Sequence, residues 1–585
     1  MNLSLPLQLK RVATFFCGMF FLQQLCISQS STLERSEEKI GIGNDSSGAG
    51  SERQSKMVGT PVFTDPNIKI SDENGAASKA NSPSASGKIV GSPAFIDSET
   101  KPREEISLGF DFETHMRLKN NNAQRANDIL EKLYCETTED FAGTTNDPTD
   151  DLSVGTQAGF YAKPGTQGIY SPLVRYGRVW SHDAGTALSM AVKNRDPQAH
   201  KRVLWFRKHG QTALDPRDSR STLFVGWPFS KNQVYLGDNW ADCRLITGTN
   251  ARTLLGVGDY ITSDFYRELS ADDQAYYQTF FEKALEGILY HIELDGPNEG
   301  LISAGWSLNV IEEFQKTDHS YDDVISMVGY GPAFIDGYPY PIKRVRARNI
   351  VTDHCSNVLA LVNHALDNYD QLFRPGSQLS RAKLELIRLK LRESMFINLY
   401  DYQKDRFISG RNESGESSEY ASVSNASWFC LALKLNELNK KQVGALSRSL
   451  LYTVKNFTKD FVINGKTYFG AFYFQDGFED PSLEEIDDPY SNILHVEGTC
   501  KLINSLLRFT DAFPENQNTP LFHATALKLW NGLQYFIDDY GFIYDSNSLK
   551  DAVDEEPLES SISALSYLSI YNYFDANPER YDLFD

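Results

Sequence analysis

The chain has 585 residues, 41% of them hydrophobic and 12% aromatic, which excludes a wholly disordered or collagen-like protein. At roughly 150 residues per domain, the length allows about four domains or one large repeat-built fold. Lys plus Arg number 57 against 78 Asp plus Glu, a formal net charge of −21, so the averaged field repels nucleic-acid backbones and anionic membranes. A neutral polyhydroxylated ligand, gripped by hydrogen bonds and aromatic faces, is indifferent to that charge.

At the start, Lys10 and Arg11 precede an apolar run from Val12 to Leu22 and on to Ile27, with small Ser28 at a cleavage point. That layout predicts a signal peptide over residues 1–28 and an exported protein, secreted or held in the periplasm or cell envelope. An uncleaved N-terminal membrane anchor is the alternative. Nothing later reaches 18 continuous apolar residues, so no stable membrane insertion is expected beyond this segment.

Residues 29–105 are rich in Ser, Gly, Asn and Pro, with Phe63 and Phe95 as the only aromatics, and read as a disordered linker. The linker repeats KMVGTPVFTD (56–65) as KIVGSPAFID (88–97), which is either drift in a tether or a pair of partner-docking peptides. The five cysteines beyond the leader, Cys135, Cys243, Cys355, Cys430 and Cys500, are widely spaced with no CxxC pair; they read as small buried hydrophobes.

From residue 106 to 585 helix-period patterns dominate and strand alternation is scarce, which predicts an all-α domain. Six small-residue-rich apolar segments begin at Ser181, Thr247, Thr352, Ser424, Val496 and Ser560. Longer amphipathic helices lie between them, beginning at Ala199, Ala271, Ser380, Lys440 and Thr519. Helices rich in Ala, Gly, Ser and Cys pack closely all round, whereas amphipathic ones keep a face for water. The first set therefore reads as an inner layer and the second as an outer one, closing into a ring of six helical hairpins. An open array is the alternative.

Four of the inner segments carry motifs: SHDAGTA at Ser181, TGTNAR at Thr247, VTDHCSN at Val351 and VEGTCKL at Val496. In order and spacing they resemble the patterns YDQALA, TGDNAW, STEHNID and EGTAQM of the six-hairpin glycosidase-like superfamily of (α/α)6 toroids, over about residues 161–585. The chain departs from those patterns at Arg252, in place of Trp, at Asp353, in place of Glu, and at Lys501 and Leu502, in place of Gln and Met. The resemblance implies a carbohydrate-active enzyme, a glycoside hydrolase acting on an oligo- or polysaccharide by an inverting mechanism.

In such a toroid the loops entering the inner helices gather at one end and bring Asp183, Asp353 and Glu497 around one funnel. Glycoside hydrolysis needs one protonated and one ionised carboxyl, and these three are the catalytic candidates, Glu497 as acid and Asp353 as base. Helix capping by an acid in a first turn is the competing explanation for each. His182 and His354 stand beside two of the aspartates and, with Trp180, Trp240, Trp306, Asp238 and Asp242, are candidate sugar-binding residues. Trp205, Trp428 and Trp530 lie within helical pattern and read as core.

The basic run PIKRVRARNI, with Lys343, Arg344, Arg346 and Arg348, reads as a solvated loop or as a receptor for a uronate. A polysaccharide lyase on the same toroid would use that run with Tyr340 or His354, and a non-catalytic toroid would bind glycan or a protein partner. No HExxH, EF-hand, Walker or GxSxG motif occurs, and no metal or cofactor is called for. Of the sequons at Asn44, Asn412, Asn425 and Asn456, Asn425 opens an inner helix, where a glycan would not fit.

Overall fold

The computed structural model describes residues 112–134, 160–161, 179–215, 218–227, 230–231, 241–242, 245–309, 343–418, 420–473, 492–546, 549 and 559–577. All belong to one compact unit. The leader, the linker with its repeat, Asp238, Trp240, Tyr340, Cys135 and Cys243 lie outside the described residues.

Twelve long helices appear among the described residues: α1 (Phe112–Lys132), α2 (Ser181–Lys193), α3 (Ala199–His209), α4 (Thr247–Ile261), α5 (Ala271–Leu289), α6 (Thr352–Asp367), α7 (Arg381–Asn398), α8 (Val423–Ala432), α9 (Lys440–Phe457), α10 (Val496–Ala512), α11 (Thr519–Tyr540) and α12 (Ser561–Ala576). The six inner helices are neighbours in the cyclic order α2, α4, α6, α8, α10, α12 and back to α2. The ring is therefore closed, and the fold is the (α/α)6 toroid expected from the sequence. Outside it, α3, α5, α7, α9 and α11 back the inner helices in turn. The sixth outer helix is α1, which packs on α12 and α11, so the first described helix completes the last hairpin.

Small residues set the inner spacing. A Cβ on Gly185 of α2 would lie 2.6 Å from the Thr253 Cα of α4, and one on Gly248 of α4 would lie 2.8 Å from the His354 Cα of α6. Within this closely spaced frame Leu254, Leu361, Leu502 and Leu506 are fully buried, each contributing about 1.5–3 kcal/mol of hydrophobic stabilisation. Cys355, Cys430 and Cys500 are free and buried as expected, and burial pushes the Cys355 and Cys430 thiols up to about 12. A polar clasp joins α1 to the ring: Asn122 Nδ2 donates to Gln534 Oε1 at 2.9 Å, and Tyr567 Oη lies 2.9 Å from that oxygen and 3.0 Å from Lys119 O.

The sequence underestimated β-structure. Short strands lead into inner helices: β1 (Val179–Trp180) into α2, β2 (Leu245–Ile246) into α4, and β4 (Lys343–Val351) into α6. With β3 (Ser303–Asn309) and β5 (Gly410–Arg411), β2 and β4 form an antiparallel sheet ordered β5-β4-β3-β2. The basic run is thus a paired strand and not a loop. The alternation of Arg344, Arg346 and Arg348 with Val345 and Ala347 is a period-2 signal that the concentration of charge obscures.

Candidate functional site

The strand-to-helix entries place the first-turn acids of α2, α6 and α10 at one end of the ring. Asp183, Asp353 and Glu497 are those acids. None accepts a capping hydrogen bond within its own helix. The cap of α10 comes from His495, whose Nδ1 accepts from Gly498 N at 2.8 Å. Each carboxylate instead turns to another side chain, so capping through hydrogen bonds does not account for them.

Asp353 Oδ2 accepts from Ser424 Oγ of α8 at 2.7 Å, while its Oδ1 is buried without a hydrogen-bond partner among the described residues. Burial raises this carboxyl to about 6, and the nearby charge of Glu497 adds to the effect, against the opposing pull of Ser424 and Lys501. Glu497 is in the reverse condition. Burial alone would raise it, but Lys501, Arg252, His182 and His495 outweigh that and hold it near 2.

The cations sit close to Glu497. Lys501, one turn further along α10, bonds Glu497 Oε1 directly, and Arg252 Nη1 of α4 lies 3.7 Å from the same oxygen. Lys501 Nζ lies 3.6 Å above the Trp428 ring centroid, the Arg252 guanidinium 5.5 Å from it, and Arg252 Nη2 donates to Thr186 Oγ1 at 3.2 Å. Burial lowers Lys501 to about 8, although Glu497 supports its charge. The two strongest departures from the superfamily patterns, Arg252 and Lys501, therefore converge on one carboxylate.

Around this centre, His182 Nε2 lies 2.8 Å from Asp183 Oδ1. The His495 ring is flanked by Tyr473 at 4.9 Å and Tyr544 at 4.7 Å, centroid to centroid. Burial, and then the Asp353 charge, push the Tyr473 phenol well above its ordinary range.

The structure thus brings Asp183, Asp353, Glu497, His182 and His354 to one end of the ring. Glu497 is held toward the ionised form and Asp353 toward the protonated one, the reverse of the bias expected for an acid at 497 and a base at 353. A correction concerns Trp428. Trp205 and Trp530 are core residues as expected, but Trp428 is only half-buried and forms the platform beneath the two cations. Helical periodicity could not separate it from them. For Trp180, Trp306 and Asp242 the described feature is a strand backbone position, with Trp306 opposite Leu245 and Arg346. Asp238 and Trp240 fall outside the described residues. Sequence reasoning passed over Ser424, Tyr473 and Tyr544, since none belongs to a motif.

No family model matches the chain, and no curated protein does. Solved structures with a similar course of chain include an uncharacterized conserved protein from Thermus thermophilus, at 10% identity over 77% of this chain and 99% of that one, with a TM-score of 0.45. The cellobiose 2-epimerase of Bacillus thermoamylovorans is 12% identical over 78% of this chain and 100% of that one, TM-score 0.45. The GH63 mannosylglycerate hydrolase of Thermus thermophilus is 10% identical over 77% and 99%, TM-score 0.44.

Proposed function

We propose that the chain is an exported carbohydrate-active enzyme that hydrolyses a glycosidic bond with two carboxyls. The observation that carries this reading is the opposite protonation bias of Asp353 and Glu497, on inner helices that open at the same end of the ring. Groups pushed apart in this way are the signature of an acid paired with an ionised partner. Asp353 is the proton donor to the leaving oxygen. Glu497, assisted by Asp183, supplies the negative charge that faces the cationic transition state and receives the proton that the attacking water gives up as its oxygen bonds the anomeric carbon. Inversion at the anomeric carbon follows the resemblance in sequence, and export rests on the composition of the first 28 residues.

The lyase reading needs a Tyr or His base, expected at Tyr340, which lies outside the described residues, or at His354; burial pushes Tyr473, a phenol in the acidic cluster, away from the ionised form such a base requires. The test is release of reducing ends from a panel of neutral and acidic polysaccharides, with ultraviolet absorbance read in the same wells. Asp353→Asn should lower turnover about 10²–10⁴-fold, as loss of a general acid does. Ultraviolet-absorbing unsaturated product would turn the assignment to a lyase. Absence of turnover across the panel would leave a toroid that binds without catalysing.

A further inference from the structure

The convergence of Arg252 and Lys501 on Glu497 leaves cationic N–H groups that this carboxylate does not use. Two cations touch one carboxylate, while Asp183 is engaged by His182 and Asp353 by Ser424. Glu497 uses one of the three ammonium donors of Lys501. Of the five guanidinium N–H groups of Arg252, one bonds Thr186. Both cationic side chains keep some access to solvent, 16% for Arg252 and 10% for Lys501. Thr186, Glu497 and the Trp428 face fix them from three different helices, so they are ordered before any ligand arrives.

We propose that Arg252 and Lys501, ordered by Glu497 and Trp428, form a subsite for the carboxylate of an acidic sugar. The proposal refines the carbohydrate reading above by naming a substrate class. A planar guanidinium fork matches a carboxylate in bidentate fashion. A phosphate dianion would leave negative charge uncompensated beside Glu497 and Asp353. The basic strand β4, where sequence reasoning looked for a uronate receptor, is not needed for this, since its described cation, Arg348, lies 3.8 Å from Glu413 at the exposed surface.

The experiment uses the full chain and matched probes: the methyl glycosides of glucuronate, galacturonate and mannuronate, their neutral hexose counterparts, and glucose 6-phosphate. Calorimetric titration at low and moderate salt gives the affinities. At least one uronide should bind tenfold or more tightly than its neutral counterpart, with affinity falling as salt rises. Arg252→Gln should erase that preference while leaving neutral-sugar affinity within about twofold. Arg252→Lys, which keeps the charge but loses the fork, should restore part of it. Equal affinity for every acid and neutral pair, a stronger response to the phosphate, or an undiminished preference in Arg252→Gln would overturn the proposal. Because the readout is binding, uronide preference without turnover leaves the subsite standing and removes the hydrolase, whereas turnover of neutral glycans alone does the reverse.

Discussion

Lys501 lies one helical turn beyond Glu497 on α10, bonds its carboxylate, and rests over the Trp428 ring of α8 with Nζ 3.6 Å from the ring centroid. The pair is buried, so its members depend on each other more than two surface charges do. Removing one partner of a buried ion pair leaves the other uncompensated, at a cost of about 3–5 kcal/mol. Glu497→Gln, which strips the shared anion from both Lys501 and Arg252, should therefore destabilise the fold by about that amount in urea unfolding, and Glu497→Gln/Lys501→Gln, which leaves only Arg252 without its anion, by less. Additive losses in the double variant would show that the two side chains are not energetically coupled.

The two carboxyls should pull stability in opposite directions with pH. Glu497 has its folded value lowered to about 2 from 4.5, so its contribution is fully present above pH 4.5 and is lost as pH falls toward 2. Asp353 is raised to about 6 from 3.8, so it favours the folded state below pH 3.8 and that benefit disappears as pH rises through 6. Asp353→Asn should thus gain stability relative to the parent between pH 4 and pH 7, by up to about 3 kcal/mol at 1.36 kcal/mol per unit. Urea midpoints at the two pH values read this directly, and an equal offset at both would contradict it.

Ser424 donates to Asp353 Oδ2 and so favours the ionised form. Ser424→Ala should raise the Asp353 titration further, moving the alkaline limb of any activity profile to higher pH while leaving the acid limb in place. A profile that only loses height would assign Ser424 a packing role.

Gly185 faces the backbone of α4 at a distance that a methyl group cannot share. Gly185→Ala should force α2 and α4 apart and destabilise the protein by about 1–3 kcal/mol, the usual cost of overpacking. Gly444, on the outer helix α9, meets only the flexible end of Arg448, and Gly444→Ala should be neutral or mildly stabilising in the same thermal melts.

Tyr567 and Asn122 tie α1 to α12 and α11 through Gln534. Tyr567→Phe removes one donor from the clasp while Asn122 still serves Gln534 Oε1, for about 0.5–1.5 kcal/mol. Faster amide exchange in α1 than in α9 would show that the clasp, and not the core at large, was weakened.

The sequence by itself determined the two helical layers, because the pattern of small and apolar residues in the inner segments, against amphipathic outer ones, is a local property that periodicity reads directly, whereas closure of α12 on α2 and the sixth outer helix α1 were decided by the tertiary structure. It also located Asp183, Asp353 and Glu497, since each opens an inner helix and the topology leaves such positions little choice but to share one end. The small sheet at that end was harder to see, because strands of two to nine residues give few alternations to count. The chemistry of the acids was beyond sequence reading altogether. Whether a carboxyl is held ionised or kept protonated depends on which charges lie within a few ångströms, and Arg252 is 245 positions from Glu497 in the chain. Only the closed ring, by bringing α4, α8 and α10 together over one indole, set the opposite protonation biases of Glu497 and Asp353.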